Sequence, residues 1–161
     1  WLAVQRPQWS FLLVGHAATD VSALRALPNV HLVGTQPYAT LSAWAKSFDA
    51  AIIPYRLNRQ VANANPLKLR EYLATGKPIV SVRNPEIEKF SGLISIADDH
   101  ASFLAALDDT LANDTADATA RRMAAVAGQT WDARVASILD TVANVLANRA
   151  VESKPLSIPI E

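Results

Sequence analysis

Cysteine is absent from this 161-residue sequence. Disulfide frameworks and thiolate metal sites are therefore excluded, and a reducing compartment is compatible. Neither sign of charge is in excess: 15 basic and 15 acidic residues are mixed along the chain, for a formal net charge of zero. That balance argues against a broad basic footprint for nucleic acid or anionic lipid. Histidine is scarce, and His16, His31 and His100 are not spaced like a metal pair. The longest apolar runs, such as "FLLVG" and "AAIIP", fall far short of the roughly 20 residues that a membrane-spanning helix needs. No segment has the pattern of a signal peptide. Methionine occurs once, at Met123, and the chain opens on Trp1. The opening "WLAVQRPQW" reads as the tail of a helix already under way, which implies a segment upstream.

Half of the residues are hydrophobic, enough for one globular domain with a real core, expected over residues 1–150. The closing "ESKPLSIPIE" has two prolines and no helical pattern, so residues 151–161 are expected to be a mobile tail. Four short apolar runs behave like buried strands: "SFLLVG", "VHLVG", "AAIIPY" and "KPIVSV". The third stops at Pro54, which cannot donate to a sheet ladder. A weaker fifth run, "GLISIA", covers Gly92–Ala97. Helices are expected between them, over roughly Asp20–Ala26, Tyr38–Ser47 and Pro66–Thr75. Three more should follow: one with Phe103, Leu104, Leu107 and Leu111 along a stripe, one from Ala116 to Ala127, and one from near Thr130. Apolar strands alternating with helices predict an α/β fold, a doubly wound, Rossmann-like parallel sheet covered on both sides. No internal repeat, low-complexity tract or interior linker interrupts it.

The stretch "NPLKLREYLATGKPIVS", Asn65 to Ser81, concentrates the chemistry. Asn65 as N-cap and Pro66 in the first helical position predict a helix start, and Gly76 predicts its end. Leu69, Tyr72, Leu73 and Gly76 follow helical spacing and should face the sheet. Lys68 and Glu71 share another face, with Thr75 one turn further on. A lysine in the first helical turn is locally unfavourable by ~0.3–1 kcal/mol, because the helix N-terminus is already positive. An anion there removes the conflict, since free N–H groups, the dipole and an ammonium together make a phosphate site. Glu71, one turn deeper, can accept two hydrogen bonds from a vicinal diol such as a ribose. The same two residues also fit a plain i,i+3 surface ion pair worth ~0.2–0.5 kcal/mol. The helix follows a proline-terminated strand and the polar loop "RLNRQVANAN", which puts it at the carboxyl edge of the sheet, where such folds bind ligands.

This stretch resembles the nucleotide-sugar-binding signature of GT-B glycosyltransferases of the family 4 (group 1) type. The preceding "LPNVHLVGTQPYATLSAWAKSFDAAIIPYRLN" is similar to the segment before that signature, and the resemblance extends over nearly all of residues 1–150. It implies the C-terminal, donor-binding half of a two-domain transferase, using a UDP or GDP sugar, retaining and metal-independent. Glu71 matches the second glutamate of the family's E-x7-E motif, the ribose binder. The first would fall at Asn63, a departure that puts the sugar contacts in question. Asn65, Pro66, Leu67 and Lys68 match the helix start that approaches the diphosphate, with Lys68 as its stabiliser. Gly34, Gln36, Pro37 and Tyr38 match the loop that frames the base. Tyr38 fits base stacking and helix-start packing alike. Arg56 and Asn58 lie where phosphate or sugar can be reached, and also fit solvated loop residues.

The resemblance implies no cofactor and no metal. Its partners are a nucleotide sugar, an unidentified acceptor and a missing N-terminal domain, with no nucleic acid. The expected location is cytoplasmic, any membrane contact coming through the missing half. In that family a strand precedes the helix to which Trp1 would belong. In the usual order 3-2-1-4-5-6 its loss leaves a gap inside the sheet, and the 161 residues alone are expected to give no turnover. His31 and His100 are read as structural, His16 as a loop residue, and Asp49 as lying on the wrong edge for a ligand. Two rivals remain. A dinucleotide-dependent oxidoreductase needs G-x-G-x-x-G, but Gly15 is followed by "HAATD" and Gly34 by "TQPYA". A non-catalytic module, either a receiver-like domain or a degenerate transferase, is the second. A receiver would want clustered acids at strand ends, whereas the departure at Asn63 keeps the degenerate transferase open.

Overall fold

The structure is a computed structural model that describes residues 1–56 and 58–152. It divides into two units, Trp1–Ala125 and the chain from Val126 onward. In chain order the first unit contains α1 (Leu2–Gln5), β1 (Phe11–Val14), α2 (Ser22–Arg25), β2 (Val30–Gly34), α3 (Tyr38–Lys46) and β3 (Ala51–Ile53). Then come α4 (Arg59–Ala62), α5 (Leu67–Thr75), β4 (Ile79–Val82), α6 (Pro85–Glu88), β5 (Ser95–Ala97), α7 (His100–Asn113) and α8 (Ala116–Ala124). The second unit carries α9 (Trp131–Glu152), with Trp131, Val135, Ile138, Leu139 and Val142 at helical spacing. The expected tail lies, from residue 153 on, outside the described residues.

All five strands pair in parallel, as the apolar runs require. They form two sheets, β1-β2 and β3-β4-β5. Leu12 is level with His31 and Leu13 with Leu32, and a register shift then sets Val14 against Gly34. Val80 is level with Ile52 on one side and Ser95 on the other. Among the described residues no strand pairs with the outer edges of β1 or β3. The sheets β1-β2 and β3-β4-β5 fit the runs 2-3 and 4-5-6 of the expected order. Burial follows this plan. Ile79, Val80 and Ser81 of the middle strand β4 are buried, whereas none of the apolar residues of β1 is fully buried.

Helix α1 fixes the two sheets in a common direction. Trp1 stacks on His100 at the start of α7, ring centroids 5.3 Å apart. Five residues later Arg6 Nε donates to Asp108 Oδ1 at 2.9 Å, further along α7. The two helices therefore run the same way, away from the carboxyl end of β5, and β1 sets out from the opposite, amino edge. Leu2 and Trp9 pack on the Val80, Ala97, Phe103 and Leu107 cluster under α7. The Asn29 amide reaches the carbonyls of Ala3, Arg6 and Trp9, tying the entry of β2 to α1. On the other face of the sheet, by strand alternation, lie Ala51, Ile53 and Ile79. Here α5 buries Leu69 and Leu73 completely, each worth about 1.5–3 kcal/mol.

Both ends of α5 bear on function. Gly76 closes it with φ +74°, the left-handed cap expected of glycine, and a Cβ there would lie 2.7 Å from Thr119 Cγ2. Its carbonyl accepts from Nε of the buried Arg122 of α8 at 2.8 Å. At the other end the expected cap is corrected. Pro66, not Asn65, is the capping residue, and no side chain caps the first turn. Asn65 Oδ1 instead accepts from the guanidinium of Arg70. The N-cap and proline-first arrangement is realised elsewhere, at Asn84-Pro85, where Asn84 caps α6. Helices α4 and α6 were not anticipated, since four residues leave no periodicity to read. Helix α2 begins later than expected because Asp20 turns the chain, accepting from Ser22 N–H at 2.9 Å. Leu111 of the predicted α7 stripe is exposed.

Four aspartates set the response to acid among the described residues, and one of them, Asp20, is held below the usual carboxylate range by hydrogen bonds from Ser22. Asp108 is held below the usual carboxylate range by hydrogen bonds from Arg6, Asp98 by those from Arg83, and Asp99 by the Ser102 N–H it caps. A depressed folded pKa gives stability that is present above the unfolded value, near ~3.9, and lost as pH falls through the folded one. Thermal midpoints measured against pH should therefore decline below pH ~4, and Asp108→Asn should flatten that decline. An unchanged acid limb in Asp108→Asn would remove the Arg6 pairing as a cause. Among the described residues no helix is long and apolar enough to cross a membrane.

Candidate functional site

With both sheets pointing one way, the segments leaving the strands meet along one carboxyl edge. These are the loops after β2 and β3, the start of α5, and the turns after β4 and β5. Helix α5 presents Lys68 and Glu71 there, one turn apart on the face away from Leu69 and Leu73. Both side chains are exposed. The i,i+3 ion pair that the spacing allowed is not formed. Among the described residues neither Lys68 nor Glu71 has a salt-bridge or side-chain hydrogen-bond partner. The first turn of α5 contains no acid and no side-chain cap. An ammonium, an uncapped helix terminus and an acceptor-only carboxylate thus lie together and uncompensated. Such a set can hold a dianion beside a diol.

The neighbouring cation at this edge is in a different state. Arg83, just beyond β4, donates from Nε to Asp98 at 2.6 Å and also pairs with Glu88. Its hydrogen bonds to Asp98 and then to Glu88 push its pKa further up. Its charge is balanced, whereas among the described residues the exposed Lys68 and Arg56 have no salt-bridge partner. Beside Glu71, Tyr72 is partly buried. Desolvation first, then the charges of Glu71 and Tyr55, raise its phenol, which stays protonated at neutral pH.

The loop after β3 is more ordered than its composition suggests. Asn58 caps α4, its Oδ1 accepting from Val61 N–H at 2.8 Å. Asn63, where the family motif would have its first acid, donates from Nδ2 to the Arg59 carbonyl at 2.8 Å. Each amide spends one end on the backbone and keeps the other: Nδ2 of Asn58 and Oδ1 of Asn63. After β2, Gly34 turns with φ +70°, and open space surrounds the position of its missing Cβ. Gln36 Nε2 donates to the Val33 carbonyl at 2.9 Å, and Pro37 leads into α3. Tyr38 projects with 84% of its surface exposed. Helix α3 packs beside α5, so this loop flanks the face that carries Lys68 and Glu71.

Two hollows of about 220 and 320 Å³ lie elsewhere. They open at the amino edge, lined by Pro78, Ser95 and Asp49 among others. Asp49 is thus on the edge opposite the strand ends, as its position before β3 implied. The candidate site is placed at the carboxyl edge by the chemistry of Lys68, Glu71 and the uncapped start of α5. Arg122 and Asp114, which line the first hollow, satisfy each other at 2.6 Å.

Residues 2–114 match the protein family described as Glycosyl transferases group 1. Over 91 residues, 54% of this chain, the sequence is 40% identical to a Bacillus subtilis (strain 168) protein provisionally named teichuronic acid biosynthesis glycosyltransferase TuaH. The matched stretch spans 23% of that relative's length.

Proposed function

From the premise that this chain belongs to the group 1 glycosyl transferases, we propose that its carboxyl edge binds the nucleotide diphosphate of a sugar donor. The whole protein would then pass the sugar to an acceptor with retention and without a metal ion. The carrying observation is the unpaired couple on α5: Lys68 at an uncapped helix start and Glu71 one turn deeper. In this reading Glu71 accepts hydrogen bonds from the two ribose hydroxyls. Lys68 and the first N–H groups of α5 face the diphosphate, with Asn65, Pro66 and Leu67 shaping their approach. The C1–O bond breaks with its electron pair going to the diphosphate, and the new charge is met by groups already oriented toward it. Gly34, Gln36, Pro37 and Tyr38 flank the base, and Arg56, Asn58 and Asn63 face phosphate or sugar. The open form of the site suits one whose second wall comes from another domain.

The test is calorimetric titration of UDP and GDP, with NAD as control, into the natural full-length protein and its Glu71→Ala variant. One of the two nucleotides should bind saturably, and Glu71→Ala should weaken it at least about tenfold, since hydrogen bonds to a charged group are each worth ~1.5–3 kcal/mol. A folded protein that binds neither nucleotide would sink this reading. It would favour a degenerate transferase, the alternative that the amide at Asn63 supports.

A further inference from the structure

Asn84 is a polar side chain only 1% exposed, with both ends of its amide hydrogen-bonded. It stands just past β4, where the strand leaves the sheet. Its Oδ1 accepts from Glu86 N–H at 2.8 Å and Ile87 N–H at 3.3 Å, which starts α6. Its Nδ2 donates to the carbonyl of Val61 in α4, 23 residues away in sequence. The capping bonds are local, but the bond to Val61 crosses between two strand-end segments. Helix α4 has only four residues, and Asn58 and Asn63 at its two ends add further hydrogen bonds to its backbone. Short helices are not stable by themselves, so an external anchor decides where this one sits.

We infer that Asn84 is a positioning residue. Through Val61 it holds α4, and with it Arg56, Asn58 and Asn63, at a fixed distance from the end of β4 and the start of α5. The role rests on the donor-site reading above, which gives the loop something to be positioned for. The chemistry singles out asparagine. Serine can cap α6 equally well but cannot reach Val61, and aspartate would turn an acceptor oxygen toward an acceptor carbonyl. The ligand class follows from what the loop presents: one guanidinium and two half-used amides, suited to phosphate and sugar hydroxyls.

The experiment compares Asn84→Ser, which keeps the α6 cap and loses the anchor, with Asn84→Ala, which loses both. Both are made in the natural full-length protein. Amide hydrogen exchange over residues 60–64 should accelerate in both variants, while residues 86–88 stay protected in Asn84→Ser alone. UDP and GDP are titrated separately. The nucleotide that binds the parent should bind both variants about tenfold more weakly, as expected when a binding loop is misplaced by a fraction of an ångström. In turnover assays the loss should appear in KM, with kcat close to the parent's. Parental affinity in Asn84→Ser despite faster exchange at 60–64 would overturn the positioning role. So would weakening confined to Asn84→Ala, which would assign the effect to the α6 cap. Anchor loss seen by exchange in a parent that binds neither nucleotide would place the failure in the donor-site reading and remove this inference with it.

Discussion

Lys68→Ala is expected to lower turnover of the full-length protein by roughly 10²–10³-fold, the usual effect of deleting one preorganised group that faces developing charge. The geometry makes this substitution unusually clean. Lys68 is exposed, and among the described residues its removal breaks no side-chain hydrogen bond or ion pair. It also sits in the first turn of a helix with no acidic neighbour there, where a positive charge costs about 0.3–1 kcal/mol. The thermal midpoint should therefore stay level or rise slightly while the rate collapses. Opposite movement of rate and stability is what separates a functional cation from a solvated one. The measurement is kcat with the sugar donor whose nucleotide binds, alongside the unfolding midpoint. A kcat within twofold of the parent would return Lys68 to the status of a surface residue.

Arg122→Ala should produce the largest loss of stability, about 3 kcal/mol and up to 5. The guanidinium is buried, with both carboxylate oxygens of Asp114 at 2.6 and 2.7 Å and the carbonyl of Gly76 at 2.8 Å. Its removal takes from the Asp114 charge and the helix-terminal Gly76 carbonyl the partner they share. Asp114 keeps about a quarter of its side-chain surface, which favours the lower figure. For a protein of this size each kcal/mol shifts the midpoint by about 2–4 °C, so the loss should be near 10 °C. Asp114→Ala should cost less, and the double variant should be less destabilised than the sum of the two. Additive effects would show that the pair does not act as a unit. Because Arg122 grips the end of α5 opposite to Lys68, nucleotide affinity should fall only in proportion to the fraction unfolded.

Much of the fold was legible in the chain. "FLLV", "VHLVG", "AII" and "IVSV" became parallel strands, since short, mainly apolar runs between helices suit a covered parallel sheet. Leu69 and Leu73 went inward and Lys68 and Glu71 outward because a helix period of 3.6 leaves no other arrangement. Gly76 ended the helix through its left-handed backbone. Asn65 was misread by one position, and the reason is instructive. Asn-Pro occurs twice, at residues 65–66 and 84–85, and composition alone does not distinguish the two. The second became the cap because Asn84 is enclosed between two segments. The first did not, because Arg70 draws its carbonyl oxygen away.

The sequence by itself determined the alternation of strands and helices, the inner and outer faces of α5, and the chemical types gathered at one sheet edge. These depend on local period, on burial and on backbone preference, all of which act within a few residues. Tertiary structure decided which charges were left uncompensated. Lys68 and Glu71 could have paired across one turn and did not. Arg83, no more conspicuous in the chain, found Asp98 fifteen residues away and was neutralised. It also decided that Asn84 would reach Val61 and that Arg122 would close on Gly76. Such partners are chosen by distance in space after the sheet has formed, and no local pattern in the chain records that distance.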